Sequence, residues 1–241
     1  MLQFRTTSSP FKERTVFKTV EFELLALGEL RKAGFLPSSP EPIRIEAFIV
    51  KRFGVTPDYC AELPDGILGL TTFGSNGPTD IMISKELGED TSDVGRRRTN
   101  ATLAHEAGHC LLHAYLFAIS GRKGGALLGR STNAPAAVAG IDLSDPRFLC
   151  RDIGTNAAGG YRWWEWQADA MIGPLLMPRP LVDSLLRAEF QLAAPSPKSG
   201  QTSLEGSVAI VAAKRLSDVF DVNPVVARIR LEKLGFSISR S

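Results

Sequence analysis

The spacing of hydrophobic residues predicts a series of helices interrupted by one pair of short strands. Apolar side chains recur every three or four positions across residues 12–33, and Gly34 is well placed to end this helix. At 66–73 and 80–84 the pattern of apolar residues becomes typical of β-strands, and a turn that contains glycine and proline separates these two segments. Further helices are predicted at 43–53, 99–120, 162–177, 179–190, 204–220 and 223–234.

Two segments lack such a period. Residues 121–160 are rich in Gly, Ala, Ser, Asn and Pro, and so long a stretch without periodicity predicts a mobile loop or lid. Residues 193–200 form a second Pro/Ser/Gly-rich segment, which we expect to be a linker. We therefore predict one domain at 1–178, carrying the mobile loop, and a C-terminal helical region at 179–241.

Composition narrows the class of protein. The 241 residues are 44% hydrophobic and 22% charged, as in ordinary soluble globular proteins. The net charge of +2 is too small to indicate a nucleic-acid binder, so we expect no direct nucleic-acid binding. The N-terminus lacks the apolar stretch of a secretory signal, and no apolar run is long enough for a membrane span. Three cysteines without a CxxC pair fit a reducing compartment, so we expect a cytoplasmic protein.

The candidate chemistry lies in the predicted helix 99–120. All three histidines of the chain occur there, and His105 and His109 are four residues apart, about 6 Å along the helix axis. Two imidazoles so placed can bind one metal ion, and Glu106 then lies beside the open position as a general base. His113 is about 12 Å from His105 along the axis, so we expect it to be a packed or hydrogen-bonded residue.

A catalytic zinc site normally has three protein ligands, so one more is required. Glu165 is the candidate, and Asp169 follows four residues later on the same predicted helical face. Asp169 could accept the second ring N–H of a ligand histidine and so fix its tautomer. Spacing alone leaves open that Glu165 is an ordinary acid on a helix surface.

The motifs around these residues resemble those of the ImmA/IrrE family of gluzincin-like zinc metallo-endopeptidases. They are LAHEAGHCLLH at 103–113, EWQADAMIGPLLMP at 165–178 and FDVNPVVARIRLEKLG at 220–235, and the resemblance covers roughly residues 40–236. It implies an α+β, minigluzincin-like domain, with a short antiparallel sheet and the HExxH helix, followed by a helix-turn-helix-like C-terminal region. It also implies that His105, His109 and Glu165 bind Zn²⁺ and that Glu106 is the general base. The implied substrate is a helix-turn-helix transcriptional repressor, whose cleavage relieves repression in a stress or mobile-element response.

Several assignments stay open at this point. Gly173 and Pro174 depart from the family pattern, and the proline is expected to kink its helix. Tyr161 and Arg162 are candidates for stabilising an oxyanion, or they are ordinary loop residues. Strand 80–84 is either an exposed edge that pairs with substrate or an internal strand of a hairpin. Cys150 is either a free thiol or a redox-sensitive inhibitor at the open metal position.

Two other functions compete with the peptidase. One is a zinc-binding regulatory or partner-binding module with a vestigial metal site, which would use the basic residues of the C-terminal helices: Arg228, Arg230, Lys233 and Arg240. The other is a zinc hydrolase that acts on small substrates.

Overall fold

A computed structural model describes residues 2–5, 13–74, 76–122, 148–151, 163–192 and 202–238 of the chain. Within these residues the fold is α+β, as predicted. The helices are α1 Thr19–Ala33, α2 Ile45–Phe53, α3 Lys85–Glu89, α4 Asp93–Arg122, α5 Trp163–Leu176, α6 Arg179–Phe190, α7 Gly206–Phe220 and α8 Pro224–Lys233. The strands are β1 Leu2–Arg5, β2 Glu13–Val16, β3 Asp58–Ala61, β4 Ile67–Gly74, β5 Gly77–Ser84, β6 Phe148–Arg151, β7 Thr202–Leu204 and β8 Phe236–Ile238. None of the described helices is both long and apolar enough to cross a bilayer.

The main sheet has the strand order β3-β5-β4-β6 and is mixed, so the prediction of an antiparallel sheet is wrong. Strand β4 pairs antiparallel with β5 and β6, whereas β3 pairs parallel with β5. The chain reverses between β3 and β4 and again between β4 and β5, so β3 and β5 run in the same direction. Because β5 lies between two partners, residues 80–84 form an internal strand, and the edge-strand alternative is also wrong.

The predicted helix at 12–33 begins later than its hydrophobic period indicates. Residues Glu13–Val16 form β2, which pairs with β1, and α1 starts at Thr19. The Glu21 carboxylate accepts a hydrogen bond of 2.8 Å from the backbone N–H of Lys18, and this contact fixes the start of the helix.

Helix α4 begins six residues before the predicted start at 99. Ser92 Oγ accepts from the N–H of Gly95 at 3.0 Å and thereby satisfies a donor of the first turn. Thr99, where the predicted helix starts, lies inside the observed helix and donates its hydroxyl to the Gly95 carbonyl, also at 3.0 Å.

One hydrophobic core extends across residues of both predicted domains, from α1 and α4 through α5 and α6 to α7 and α8. Arg230 of α8 is buried within it; its Nε donates to the Met177 carbonyl at 3.0 Å and its guanidinium pairs with Glu23 of α1. Arg230 is only 2% exposed and therefore has almost no surface to offer nucleic acid or a partner. Arg240 lies outside the described residues. The domain boundary at 178 stays a prediction.

Helices α4 and α5 pack closely at Gly108 and Ala168, where both carry small residues. A Cβ atom added to Gly108 would lie 3.1 Å from both the Cα and the carbonyl oxygen of Ala168. Pro174 lies near the C-terminal end of α5, which continues to Leu176. The proline is therefore more than two turns beyond Glu165.

Candidate metal centre

Helices α4 and α5 bring three metal-ligating side chains together. His105 Nε2 lies 2.9 Å from His109 Nε2, and Glu165 Oε2 lies 3.3 Å and 3.5 Å from these two atoms. Both histidines are buried, while the Glu165 side chain keeps 18% of its exposure. This group could hold a metal ion.

The three donor atoms fit a small tetrahedral ion. A tetrahedral ion with ligands at about 2.0–2.1 Å has ligand atoms about 3.3–3.4 Å apart. The observed triangle, with edges of 2.9, 3.3 and 3.5 Å, is close to this size. Two imidazole nitrogens and a carboxylate oxygen are also the donor set of many catalytic zinc sites.

Asp169 lies where the sequence predicts it, behind one of the histidines. His105 Nδ1 is 2.8 Å from Asp169 Oδ1, and a carboxylate in this position accepts the Nδ1 proton. In the neutral ring, Nε2 is then the nitrogen whose lone pair would bind a metal ion on the side that Glu165 and His109 face. The contact holds the ring in the tautomer that binds metal.

His113 is hydrogen-bonded and is not part of the ligand triangle, which confirms the prediction that it is a packed or hydrogen-bonded residue. Its Nδ1 lies 3.0 Å from His109 Nδ1, on the side of that ring away from the ligand nitrogen. The Trp163 ring packs edge-on against His113 at 5.7 Å between centroids. Burial lowers the pKa of His113 well below its usual value.

Glu106 is fully buried beside the triangle and held by strand β4. The Thr71 hydroxyl donates to its Oε2 at 2.5 Å, while its Oε1 has no hydrogen-bond partner among the described residues. Gly69 makes room for this carboxylate, because a Cβ atom there would lie 2.6 Å from Oε1. Burial raises the pKa of Glu106 to about 8 in the metal-free protein.

The ligand groups have shifted pKa values of their own. Burial lowers the pKa of His109 to about 4, which favours the neutral imidazole that binds metals. Burial alone would raise the pKa of Glu165, but the facing imidazoles of His105 and His109 lower it overall. At neutral pH the centre thus holds a neutral imidazole and an anionic carboxylate, which together attract a cation.

Sequence reasoning missed the residues that support these groups. Gly69 and Thr71 occupy alternate positions of β4 and so point to the same face, toward α4. Their two-residue spacing was visible in the sequence, but nothing there indicated that this face meets Glu106. Gln167 contacts His113 at 3.0 Å, and nothing in the 165–178 motif that contains it indicates this contact.

Several predicted features lie outside the described residues. These are Tyr161, Arg162, most of the 121–160 segment and the 193–200 linker. Within the 121–160 segment the structure describes the end of α4 and strand β6. The Cys150 backbone is in register with Gly69, and the structure does not describe its side chain.

Comparison of the chain with protein-family models, with curated proteins and with solved structures finds no match.

Proposed function

We propose that this chain is a zinc-dependent endopeptidase. The observation that supports it is the convergence of His105, His109 and Glu165, with a buried carboxylate, Glu106, immediately beside them. Two imidazoles, one carboxylate and an adjacent acid form the arrangement that hydrolytic zinc enzymes use.

The donor set favours zinc over the hard cations. Magnesium and calcium prefer six or more oxygen ligands, whereas imidazole nitrogen suits zinc. When bound, zinc supplies a Lewis acid that polarises a carbonyl and lowers the pKa of water toward about 7.

Glu106 is the group proposed to move the proton. Thr71 holds its Oε2, which leaves Oε1 to accept a proton from water and return it to the leaving amine. A pKa of about 8 in the metal-free protein lies close to neutral pH, where a general base works best. A cation at the neighbouring ligands would favour the ionised carboxylate that accepts the proton.

The family resemblance supplies the proposed fold type and substrate class. By that resemblance the catalytic unit is minigluzincin-like and α7 and α8 are helix-turn-helix-like. The proposed substrate is a helix-turn-helix repressor, cut to relieve repression. Since β5 is internal, selection of a protein substrate through that strand is not part of the proposal.

The test compares wild-type protein with Glu106→Gln, both loaded with one zinc equivalent. Each is incubated with repressors taken from adjacent reading frames and with casein, and the fragments are mapped by mass spectrometry. We expect single-site cleavage of a repressor by wild type, none by Glu106→Gln, and equal zinc content in both.

Three results would contradict the proposal in different ways. Absence of zinc binding would refute the metal site. A zinc-loaded protein inactive on every protein substrate would favour the partner-binding module. Vigorous casein digestion with the repressors intact would indicate a general protease.

A further inference from the structure

A chain of buried hydrogen bonds links His109 to the backbone of the N-terminal strand β2. It runs from His109 Nδ1 to His113 Nδ1 at 3.0 Å, and from His113 Nε2 to Gln167 Oε1, also at 3.0 Å. It ends where Gln167 Nε2 donates to the Thr15 carbonyl at 2.6 Å. All four residues are at most 3% exposed.

The backbone carbonyl at the end of this chain sets the direction of every bond in it. A carbonyl oxygen can only accept, so the Gln167 amide must turn its NH₂ group toward Thr15 and its oxygen toward His113. That oxygen can only accept as well, so His113 Nε2 must carry a proton. If His113 Nδ1 also carried one, the ring would be a cation buried away from water, which is costly. His113 is therefore the Nε2–H tautomer, and its Nδ1 accepts from His109.

We propose that His113 and Gln167 are positioning residues that fix His109 in the tautomer whose Nε2 binds the metal. The inference rests on the proposed metal site. His105 and His109 are thus oriented by different devices: a carboxylate, Asp169, for the first and a neutral three-residue chain for the second. The chain behind His109 is neutral and adds no negative charge there. The carboxylate of Glu165 lies on the other side of the ring, facing the ligand nitrogen.

Thr15, whose carbonyl ends the chain, also holds strand β2 against helix α4 through its side chain. The Thr15 hydroxyl lies 2.7 Å from the Tyr115 hydroxyl of α4. The carbonyl that ends the chain is thereby kept in place by α4 itself. The position of β2 thus determines where the Thr15 carbonyl lies.

The first test reads the tautomers directly in metal-free, ¹⁵N-histidine-labelled full-length protein by long-range ¹H–¹⁵N correlation NMR at pH 7.5. We expect His113 as the Nε2–H form and His109 as the Nδ1–H form. In Gln167→Met, which removes both bonds of the amide, His113 should become a mixture of tautomers. A charged or Nδ1–H His113 in wild type would overturn the proposal.

The second test measures zinc affinity by competition with a chromophoric chelator. We expect His113→Phe to bind zinc about 10–100-fold more weakly, because His109 loses its acceptor. Leu112→Ala, a cavity variant at the neighbouring buried position, is the control for lost stability and should keep the wild-type affinity. Equal affinities of wild type and His113→Phe would overturn the proposal. Failure of wild type to bind zinc would refute the proposed function instead, and the NMR result would still decide on the tautomers.

Discussion

Replacing Glu106 by Gln should change how the stability of the metal-free protein depends on pH. In the folded protein, burial raises the pKa of Glu106 from the ordinary value of 4.5 to about 8. The folded state therefore keeps the proton over a pH range in which the unfolded chain releases it. The contribution of the protonated Glu106 carboxyl to the free energy of unfolding is fully present below pH 4.5. It decreases by about 1.4 kcal/mol per pH unit as the pH rises toward 8.

The size of the effect follows from these two pKa values. Between pH 6 and pH 8 the free energy of unfolding of wild type should fall by about 2 kcal/mol relative to Glu106→Gln, since the slope flattens near the upper pKa. The glutamine cannot ionise, and its amide oxygen can still accept from Thr71. His109 and His113 also take up protons on unfolding, but both proteins carry them, so their contribution cancels in the difference between wild type and variant.

The assay is urea unfolding of both proteins at pH 6, 7 and 8 after treatment with a chelator, with the difference in unfolding free energy taken at each pH. Glu86→Gln removes a carboxylate from an exposed position and is the matched control. A wild-type minus variant difference that stays constant from pH 6 to pH 8 would refute the reasoning. Glu106 would then be ionised in the folded, metal-free protein.

Three further substitutions test other contacts. Asp169→Ala should weaken zinc binding about 10–100-fold in chelator competition, because the ligand ring that it orients loses its acceptor. Gly69→Ala should keep zinc and lose peptidase activity, since its Cβ would displace the Glu106 carboxylate; metal content and cleavage rate are measured on the same sample. Glu23→Ala should lower the free energy of unfolding by about 3–5 kcal/mol in urea, because it leaves the Arg230 guanidinium buried without its partner.

Each of these has a contradicting result. Zinc affinity of Asp169→Ala within twofold of wild type would show that the carboxylate does not orient a ligand. Full activity of Gly69→Ala would mean that Glu106 tolerates displacement or is not the base. For Glu23→Ala the double variant with Arg230→Met is the control. The double variant should be more stable than Glu23→Ala alone. An equal loss of unfolding free energy in both variants would argue against an uncompensated charge on Arg230.

The sequence predicted the parts of the site that depend on local geometry. The four-residue spacing of His105 and His109 places both on one helical face whatever surrounds the helix. Glu165 is far from them in the chain, so its place in the triangle depends on how α5 packs against α4. Spacing alone accordingly left its role open.

The supporting residues could not be predicted because they depend on tertiary register. Thr71 reaches Glu106 only through the position of β4 across α4, and the Thr15 carbonyl reaches Gln167 only because residues 13–16 form a strand. The apolar residues at 16, 17 and 20 continue the helical period of α1 backward, so periodicity assigned this strand to the helix. The parallel pairing of β3 with β5 is likewise a non-local feature without a sequence signal.

The absence of a side chain at position 108 determines how closely α4 and α5 can approach each other. Metal–ligand distances in proteins stay within about 0.2 Å of their usual values. A methyl group at 108 would meet the backbone of Ala168 at 3.1 Å and force the helices apart by a few tenths of an ångström. That displacement is as large as this range, and it would move Glu165 away from the histidine pair. The missing side chain at 108 therefore lets the two helices lie close enough for Glu165 to reach the histidine pair, although position 108 itself supplies no ligand atom.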